Sequence, residues 1–103
     1  MERKLQTEIA THLRRKGAFV MTIQPQAGIP SGTPDIIALL DGGGWVALEV
    51  KASNPYKKDG TAKAHAFQPL QQETVKKLDN MYFSRVVWPD TWPEVKKELD
   101  HLL

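Results

Sequence analysis

The chain has 103 residues, with 14 basic and 12 acidic side chains, a formal net charge of +2 and no cysteine. Without cysteine, a disulfide scaffold and a thiolate zinc site are excluded, and ordinary apolar and charged fractions exclude fibrous and wholly disordered classes. The small positive excess is weak evidence for a polyanion partner. From the charged N-terminus, MERKLQTEIA, and the absence of a long apolar run, we expect one cytoplasmic domain, 1–103, that makes no contact with a membrane.

The first half of the chain predicts one helix followed by three strands. Leu5, Ile9 and Leu13 are spaced four apart, which predicts a helix over 2–16 with Gly17 as its C-terminal stop. Runs rich in β-branched and apolar residues then predict strands at 18–24, 35–40 and 45–51, the last two joined by a glycine-rich turn at 41–44. Because 35–40 is apolar on both alternating faces, we expect a central strand that is covered on both sides.

The second half predicts a loop, a helix, a strand and a last helix. Residues 52–67 are typical of an irregular loop. A helix is predicted over 69–80 with Pro69 in its first turn, a strand over 82–88, and a capping box in TWPE (91–94) at the start of the last helix. The order α-β-β-β-α-β-α predicts an α/β fold with a mixed central sheet flanked by helices.

Charged side chains stand at the ends of the predicted hairpin. Asp35 begins one strand, and Glu49 and Lys51 end the next, two residues apart and therefore on one face. If Leu40 pairs with Gly44 across a three-residue turn, Asp35 lies directly opposite Glu49 on that face. A four-residue turn without a bulge would put the two carboxylates on opposite faces, and the glycines of the turn permit either register.

Two carboxylates held side by side need a proton or a cation between them. They repel each other, so one takes up a proton unless a cation neutralises the pair. A hard divalent ion such as magnesium prefers oxygen ligands and keeps several waters for itself and its substrate. It would orient a phosphate oxygen and lower the pKa of an attacking water, while Lys51 positions that water or balances the transition-state charge. This chemistry suits a phosphodiester.

The same residues resemble a known family. The pattern GTPD at 32–35, then EVK at 49–51, then Gln71 heading a helix, is similar to the PD-(D/E)XK nuclease superfamily, and specifically to its virus-type replication-repair nuclease (VRR-NUC) domain. The resemblance spans nearly the whole chain, from Glu8 to Trp88. It implies a restriction-endonuclease-like fold and a metal-dependent endonuclease.

The resemblance also implies a role for each site residue. Asp35 and Glu49 would bind Mg²⁺ or Mn²⁺, with the main-chain carbonyl of Val50 as a further ligand. Lys51 would assist the attacking water. Glu8, on or beside the buried face of the first helix, matches the family's first-helix acidic residue, which contacts the metal directly or through water.

A glutamine and a set of lysines complete the predicted site. Gln71 matches the glutamine that supports the lysine and the phosphate, and helical phase favours it, although Gln68 and Gln72 lie close by in the sequence. Basic loop residues could contact backbone phosphates without reading sequence, or could simply be solvated. They are Lys57, Lys58 and Lys63.

The implied substrate is DNA, most naturally branched DNA, because family members that consist of the bare domain, often from phages, look like Holliday-junction-resolving enzymes. Cleavage would leave a 5′ phosphate and a 3′ hydroxyl, in the host cytoplasm for a phage-encoded chain. Such members act as homo-oligomers, so we expect a homodimer or a higher oligomer, with Trp88, Trp92 and Tyr82 as candidate interface residues. The alternative interpretation is a non-catalytic nucleic-acid-binding module that retains the nuclease fold.

Overall fold

The structure, a computed structural model, describes residues 2–103, which form three helices and four strands in the predicted order. They are α1 (Glu2–Arg15), β1 (Phe19–Thr22), β2 (Ile36–Leu39), β3 (Trp45–Val50), α2 (Gln71–Met81), β4 (Ser84–Val87) and α3 (Trp92–Leu102). Within this range no helix is both long enough and apolar enough to cross a membrane.

The strands form a mixed sheet in the order β1-β2-β3-β4. β2 pairs antiparallel with both β1 and β3, whereas β3 and β4 run parallel. The two antiparallel pairs are joined by loops, and the parallel pair is joined through α2, the kind of crossover that parallel neighbours require. The predicted α/β fold with a mixed sheet is confirmed.

One face of the sheet packs against α1 and α3 and carries the core. Alternate residues of β3 point to this face, where Val46, Leu48 and Val50 are fully buried. Ile9 and Leu13 of α1 are equally buried, as their spacing predicts. Together with apolar residues of α3 they form a hydrophobic cluster, and removing this surface from water is the main force that holds the layers together.

The opposite face is covered over only part of its width. α2 contacts β3 and β4, and its Val75 is buried there. The half of this face formed by β1 and β2 is open to solvent, because Phe19 and Leu39, which pair across the two strands, are 66% and 47% exposed. The expectation that 35–40 is covered on both sides is therefore wrong, since the helix on this face lies over the other edge of the sheet.

The hairpin of β2 and β3 has the shorter of the two possible turns. The N–H of Leu40 donates to the carbonyl of Gly44 at 2.8 Å, and Ile36 pairs with Leu48. The turn therefore consists of three residues, 41–43. Its two glycines adopt φ values of 89° and 102°, in the left-handed region that favours glycine.

Two helices begin differently from the prediction. α2 starts at Gln71 and not at Pro69, because Leu70 has a φ of 70°, which a right-handed helix does not include. Thr91 does precede α3, but its side chain makes no capping bond to the helix. The Thr91 hydroxyl instead accepts the N–H of Trp88 at 3.1 Å and donates to its carbonyl at 3.2 Å. The predicted capping box is therefore wrong.

Candidate active site

The two hairpin carboxylates face each other where β2 begins and β3 ends. The register that pairs Ile36 with Leu48, continued by one step, sets Asp35 opposite Glu49 on the face that α2 partly covers. Lys51 follows on the same face, and its Nζ lies 3.5 Å from Oε2 of Glu49. Three side chains that the sequence predicts on one face thus lie together, in the register that the three-residue turn selects.

Glu49 is a buried carboxyl with an incomplete set of partners. Its side chain is 1% exposed, and among residues 2–103 its Oε1 has no hydrogen-bond partner. The pKa of Glu49 is raised to about 8, first by burial and next by the charge of Asp35, against the lowering effect of Lys51. At neutral pH this pair of carboxyls therefore retains a proton, which a cation would displace.

The backbone next to Asp35 leaves a carbonyl oxygen available. The N–H of Lys51 donates to Val87 of β4 at 2.7 Å, so the N–H and the carbonyl of Val50, one residue earlier, face β2. Oδ2 of Asp35 accepts that N–H at 2.8 Å. The register would set Pro34 opposite Val50, and proline has no N–H to give to the Val50 carbonyl. The Pro-Asp pair thus orients one carboxylate and leaves the carbonyl without a strand donor.

Lys51 is oriented by α2 and by the loop before it. Its ammonium group donates to Oε1 of Gln71 at 2.9 Å and lies 4.8 Å from the centre of the Phe67 ring. The same Oε1 accepts the backbone N–H of Gln68 at 2.8 Å, which fixes the orientation of the amide. Gln71, and not Gln68 or Gln72, is therefore the glutamine whose side chain holds the lysine.

Glu8 lies outside this cluster. Its Oε2 accepts Nε1–H of Trp92 in α3 at 2.7 Å, and His12, one turn further along α1, contacts Asp100 of α3 at 2.9 Å. The residues of α1 that line the cavity next to the carboxylates are Arg3 and Gln6. Residues two apart on a helix point about 200° apart, so Gln6 and Glu8 cannot both face the site. The polar residues beside the buried stripe of α1 instead fasten it to α3.

An open cavity of about 560 Å³ leads to the carboxylates. It is bordered by Glu49 and Lys51 on the sheet side and by Arg3 and Gln6 on the α1 side. A groove between α1 and β1 continues from Arg3 and Gln6 to Arg14. Arg3 and Arg14 therefore place positive charge along α1 next to the site, where the sequence predicted no basic contact.

Sequence reasoning missed Arg3, Gln6 and Phe67 as neighbours of the site. Arg3 and Gln6 stand one helical turn apart on α1, and this spacing is a signal that could have identified them as one face. Phe67 gives no such signal, because its contact with the lysine depends on the path of the whole loop.

The lysines predicted to contact DNA lie apart from the cavity. Within 52–67, which the sequence predicts to be irregular, residues 56–62 form a small hairpin closed by a β-bridge. The rings of Tyr56 and Phe67 lie 5.8 Å apart. This hairpin therefore packs against the aromatic residue that contacts Lys51. Exposed on the hairpin or just beside it are Lys57, Lys58 and Lys63.

The aromatic residues proposed for an interface lie in three different environments. Trp92 is only 6% exposed within the core, so its proposed interface role is wrong. Trp88 is half-buried, with its ring 5.7 Å from that of Tyr56. Tyr82 is 47% exposed and packs 5.7 Å from Trp45 at the margin of the open sheet face. Of the three, Tyr82 offers the largest exposed surface.

The donor atoms at the site suit a hard divalent cation. Residues 2–103 contain no group of three or more His, Cys, Asp or Glu side chains that would hold a metal ion. Mg²⁺, however, is commonly bound through one or two carboxylates, with water and substrate phosphate completing its coordination. Asp35, Glu49 with its unpartnered buried Oε1, and the Val50 carbonyl offer only oxygen donors, which fits that requirement.

Comparison with known proteins adds no relative. No protein-family model, no curated protein and no solved structure matches the chain significantly. A function is therefore assigned from the geometry of the site and from the residue pattern.

Proposed function

We propose that the protein is a metal-dependent, structure-specific DNA endonuclease with a PD-(D/E)XK, VRR-NUC-like site and the corresponding restriction-endonuclease-like fold. The observation that carries the proposal is the meeting of Asp35, Glu49 and Lys51 on one sheet face, with Lys51 hydrogen-bonded to Gln71. An acidic pair and a lysine at the bottom of an open cavity meet the requirements of metal-assisted phosphodiester hydrolysis.

Each residue then has a definite task. Asp35 and Glu49 would hold Mg²⁺ or Mn²⁺ together with the Val50 carbonyl. When bound, such an ion supplies a polarised phosphate and a more acidic water. Glu49 would release its proton to solvent when such an ion binds. Lys51, fixed by its 2.9 Å bond to Gln71, would orient the attacking water and balance the negative charge that develops on the phosphate oxygens.

The proposed substrate is DNA, and branched DNA such as a four-way junction in particular. Arg3 borders the cavity, and Arg14 lies further along the groove between α1 and β1. On the hairpin 56–62 or just beside it, exposed lysines offer further phosphate contacts: Lys57, Lys58 and Lys63. Contacts of this kind provide affinity without sequence information, which suits an enzyme that recognises the shape of a branch.

Paired cleavage of a branch requires two active sites, so we also propose a homodimer or a higher homo-oligomer. The open half of the sheet face exposes Phe19 and Leu39, and Tyr82 is exposed at its margin. Clustered exposed apolar groups are typical of surfaces that a partner covers.

The test is a cleavage assay on four-way, flap, splayed and duplex DNA with Mg²⁺, Mn²⁺ or EDTA. The variants are Glu49→Gln and, as a matched control, Asp41→Asn, which makes the same carboxylate-to-amide change in the turn at the far end of the hairpin. We expect metal-dependent cleavage by the wild type and by Asp41→Asn, and cleavage at least about 100-fold slower with Glu49→Gln.

Two other outcomes would replace the proposal. A wild-type protein that cuts none of these substrates, yet binds DNA with an affinity that falls as salt rises, would be the non-catalytic nucleic-acid-binding module. A protein that neither cuts nor binds DNA would belong to a different functional class.

A further inference from the structure

A second cavity adjoins the carboxylates on the side away from α1. It has a volume of about 550 Å³ and shares five lining residues with the cavity that reaches Glu49: Ile23, Pro25, Asp35, Gln68 and Gln71. Its walls come mainly from the loop 25–34 and from residues 68–71, which lead into α2, and we call it the loop cavity. A group bound here would therefore lie next to whatever occupies the carboxylate site.

The walls of the loop cavity are held in place by the fold. Its loop consists of two successive turns, 26–29 and 30–33, closed by backbone hydrogen bonds of 3.1 and 3.2 Å. Gly32 has a φ of 82°, and a Cβ added there would lie 2.7 Å from the backbone of Leu70. Because glycine alone permits this approach, the loop rests directly on the beginning of α2 and the cavity walls are fixed against each other.

The lining of the loop cavity differs from that of its neighbour in its lack of basic side chains. Apolar side chains form much of the wall: Ile23, Pro25, Ile29, Pro30 and Pro69. Gln26 and Gln68 add amide groups that can both donate and accept. No lysine or arginine of the described chain lines it, whereas Arg3 and Lys51 line the adjoining cavity.

This lining selects a neutral, flat ligand with a polar edge. A phosphate would meet no cation in the loop cavity, and the charged side chain that it would meet is Asp35. A nucleobase, in contrast, presents two apolar faces to the isoleucine and proline side chains and a hydrogen-bonding edge to Gln26 or Gln68. A base that is paired and stacked in a DNA duplex cannot enter the loop cavity, since it must first swing out of the duplex.

We infer that the loop cavity binds an unpaired nucleobase next to the phosphate that is cut. This inference rests on the proposed nuclease function and narrows its substrate to branched DNA in which a nucleotide at the incision point is unpaired or is extruded on binding. The strand crosses the site with its phosphates on the Arg3 side and one base turned into the loop cavity.

The first experiment uses the wild-type protein alone. Once the cleaved bond of a branched DNA has been mapped, the base on either side of it is replaced in turn by an abasic residue, and kcat/KM is measured with Mn²⁺. We expect a loss of about tenfold, mainly through KM, at one of the two positions, from the usual contribution of one base in an apolar pocket. Equal rates for the intact DNA and both abasic DNAs would overturn the inference and leave the nuclease proposal standing.

Two variants locate the effect in the loop cavity. Ile29→Trp fills it, and Ala27→Trp places the same large side chain on the exposed part of the same loop, outside the lining. Ile29→Trp should lower kcat/KM about tenfold on intact DNA and leave it unchanged on the sensitive abasic DNA, whereas Ala27→Trp should behave like the wild type on both. An equal loss on both DNAs would contradict the inference.

If the wild-type protein cuts none of these DNAs, the result contradicts the proposed nuclease function and leaves the loop-cavity inference to a binding experiment. The loop cavity would then be tested by fluorescence anisotropy with an intact single-stranded oligonucleotide and its abasic counterpart. Weaker binding of the abasic strand would support the cavity as a base-binding site, and equal affinity would overturn it.

Discussion

Replacing Glu49 by glutamine is expected to stabilise the metal-free protein at neutral and alkaline pH, although it removes a proposed catalytic group. The side chain is 1% exposed, its Oε1 has no partner among residues 2–103, and it faces Asp35. In the wild type this carboxyl must keep a proton or carry a buried charge. Glutamine has nearly the same shape and is neutral at every pH.

The size of the effect follows from the shift in the pKa of Glu49, from an ordinary 4.5 to about 8. Because the folded-state pKa lies above the unfolded one, the native state binds the extra proton between these pH values. The stability associated with Glu49 is therefore fully present below about pH 4.5 and declines as pH rises to about 8. The free energy of unfolding falls by about 1.4 kcal/mol per pH unit over this range, and the whole loss is on the order of 5 kcal/mol.

The assay is urea unfolding in EDTA at several pH values between 5.5 and 7.5. The free energy of unfolding of Glu49→Gln minus that of the wild type should grow by about 1.4 kcal/mol per pH unit, while Asp41→Asn should stay parallel to the wild type. Mg²⁺ at 100 times its Kd should then stabilise the wild type by about 2.7 kcal/mol and leave Glu49→Gln nearly unchanged. A difference between the two proteins that stays constant across this range would refute the reasoning.

Three further changes test other parts of the site. Gln71→Ala frees the lysine ammonium and should lower single-turnover cleavage about tenfold with little change in DNA affinity; an unchanged rate would mean that the 2.9 Å bond has no role in catalysis. Gly32→Ala should destabilise the fold by at least about 2 kcal/mol in urea unfolding, because its Cβ would meet backbone at 2.7 Å, and by more than Gly28→Ala, which has a similar φ and open space. Glu8→Ala should cost about 1–2 kcal/mol of stability through the lost bond from Trp92 and leave the cleavage rate within about twofold; a large drop in rate would return Glu8 to the site.

The hairpin and its charged ends could be predicted because strand periodicity is a local property. Alternation by two residues puts Glu49 and Lys51 on one face and Val50 on the other whatever the rest of the chain does. The spacing of Leu5 and Ile9 likewise identifies the buried stripe of α1 before any partner is known.

Features that depend on the docking of distant segments could not be predicted. Glu8 and Gln6 are both polar residues on α1, and only the position of α3 beside Glu8 decides that Gln6 borders the site. The width of sheet covered by α2 decides in the same way that Leu39 is exposed. The loop cavity was also missed, because its walls depend on Gly32 resting on the start of α2.

The turn at 41–43 constrains natural and engineered variants through its backbone conformation and through the strand pairing that it sets. A Cβ on Gly42 or Gly43 would meet nothing within 4 Å, so asparagine, which tolerates positive φ, has room at either position. A change in the pairing is a different matter, because a slip by one residue would turn Glu49 toward the core and Leu48 toward the face that α2 partly covers. The turn farthest from the carboxylates therefore sets the register that brings them together, and glycine is the residue that its two positive-φ positions accept without strain.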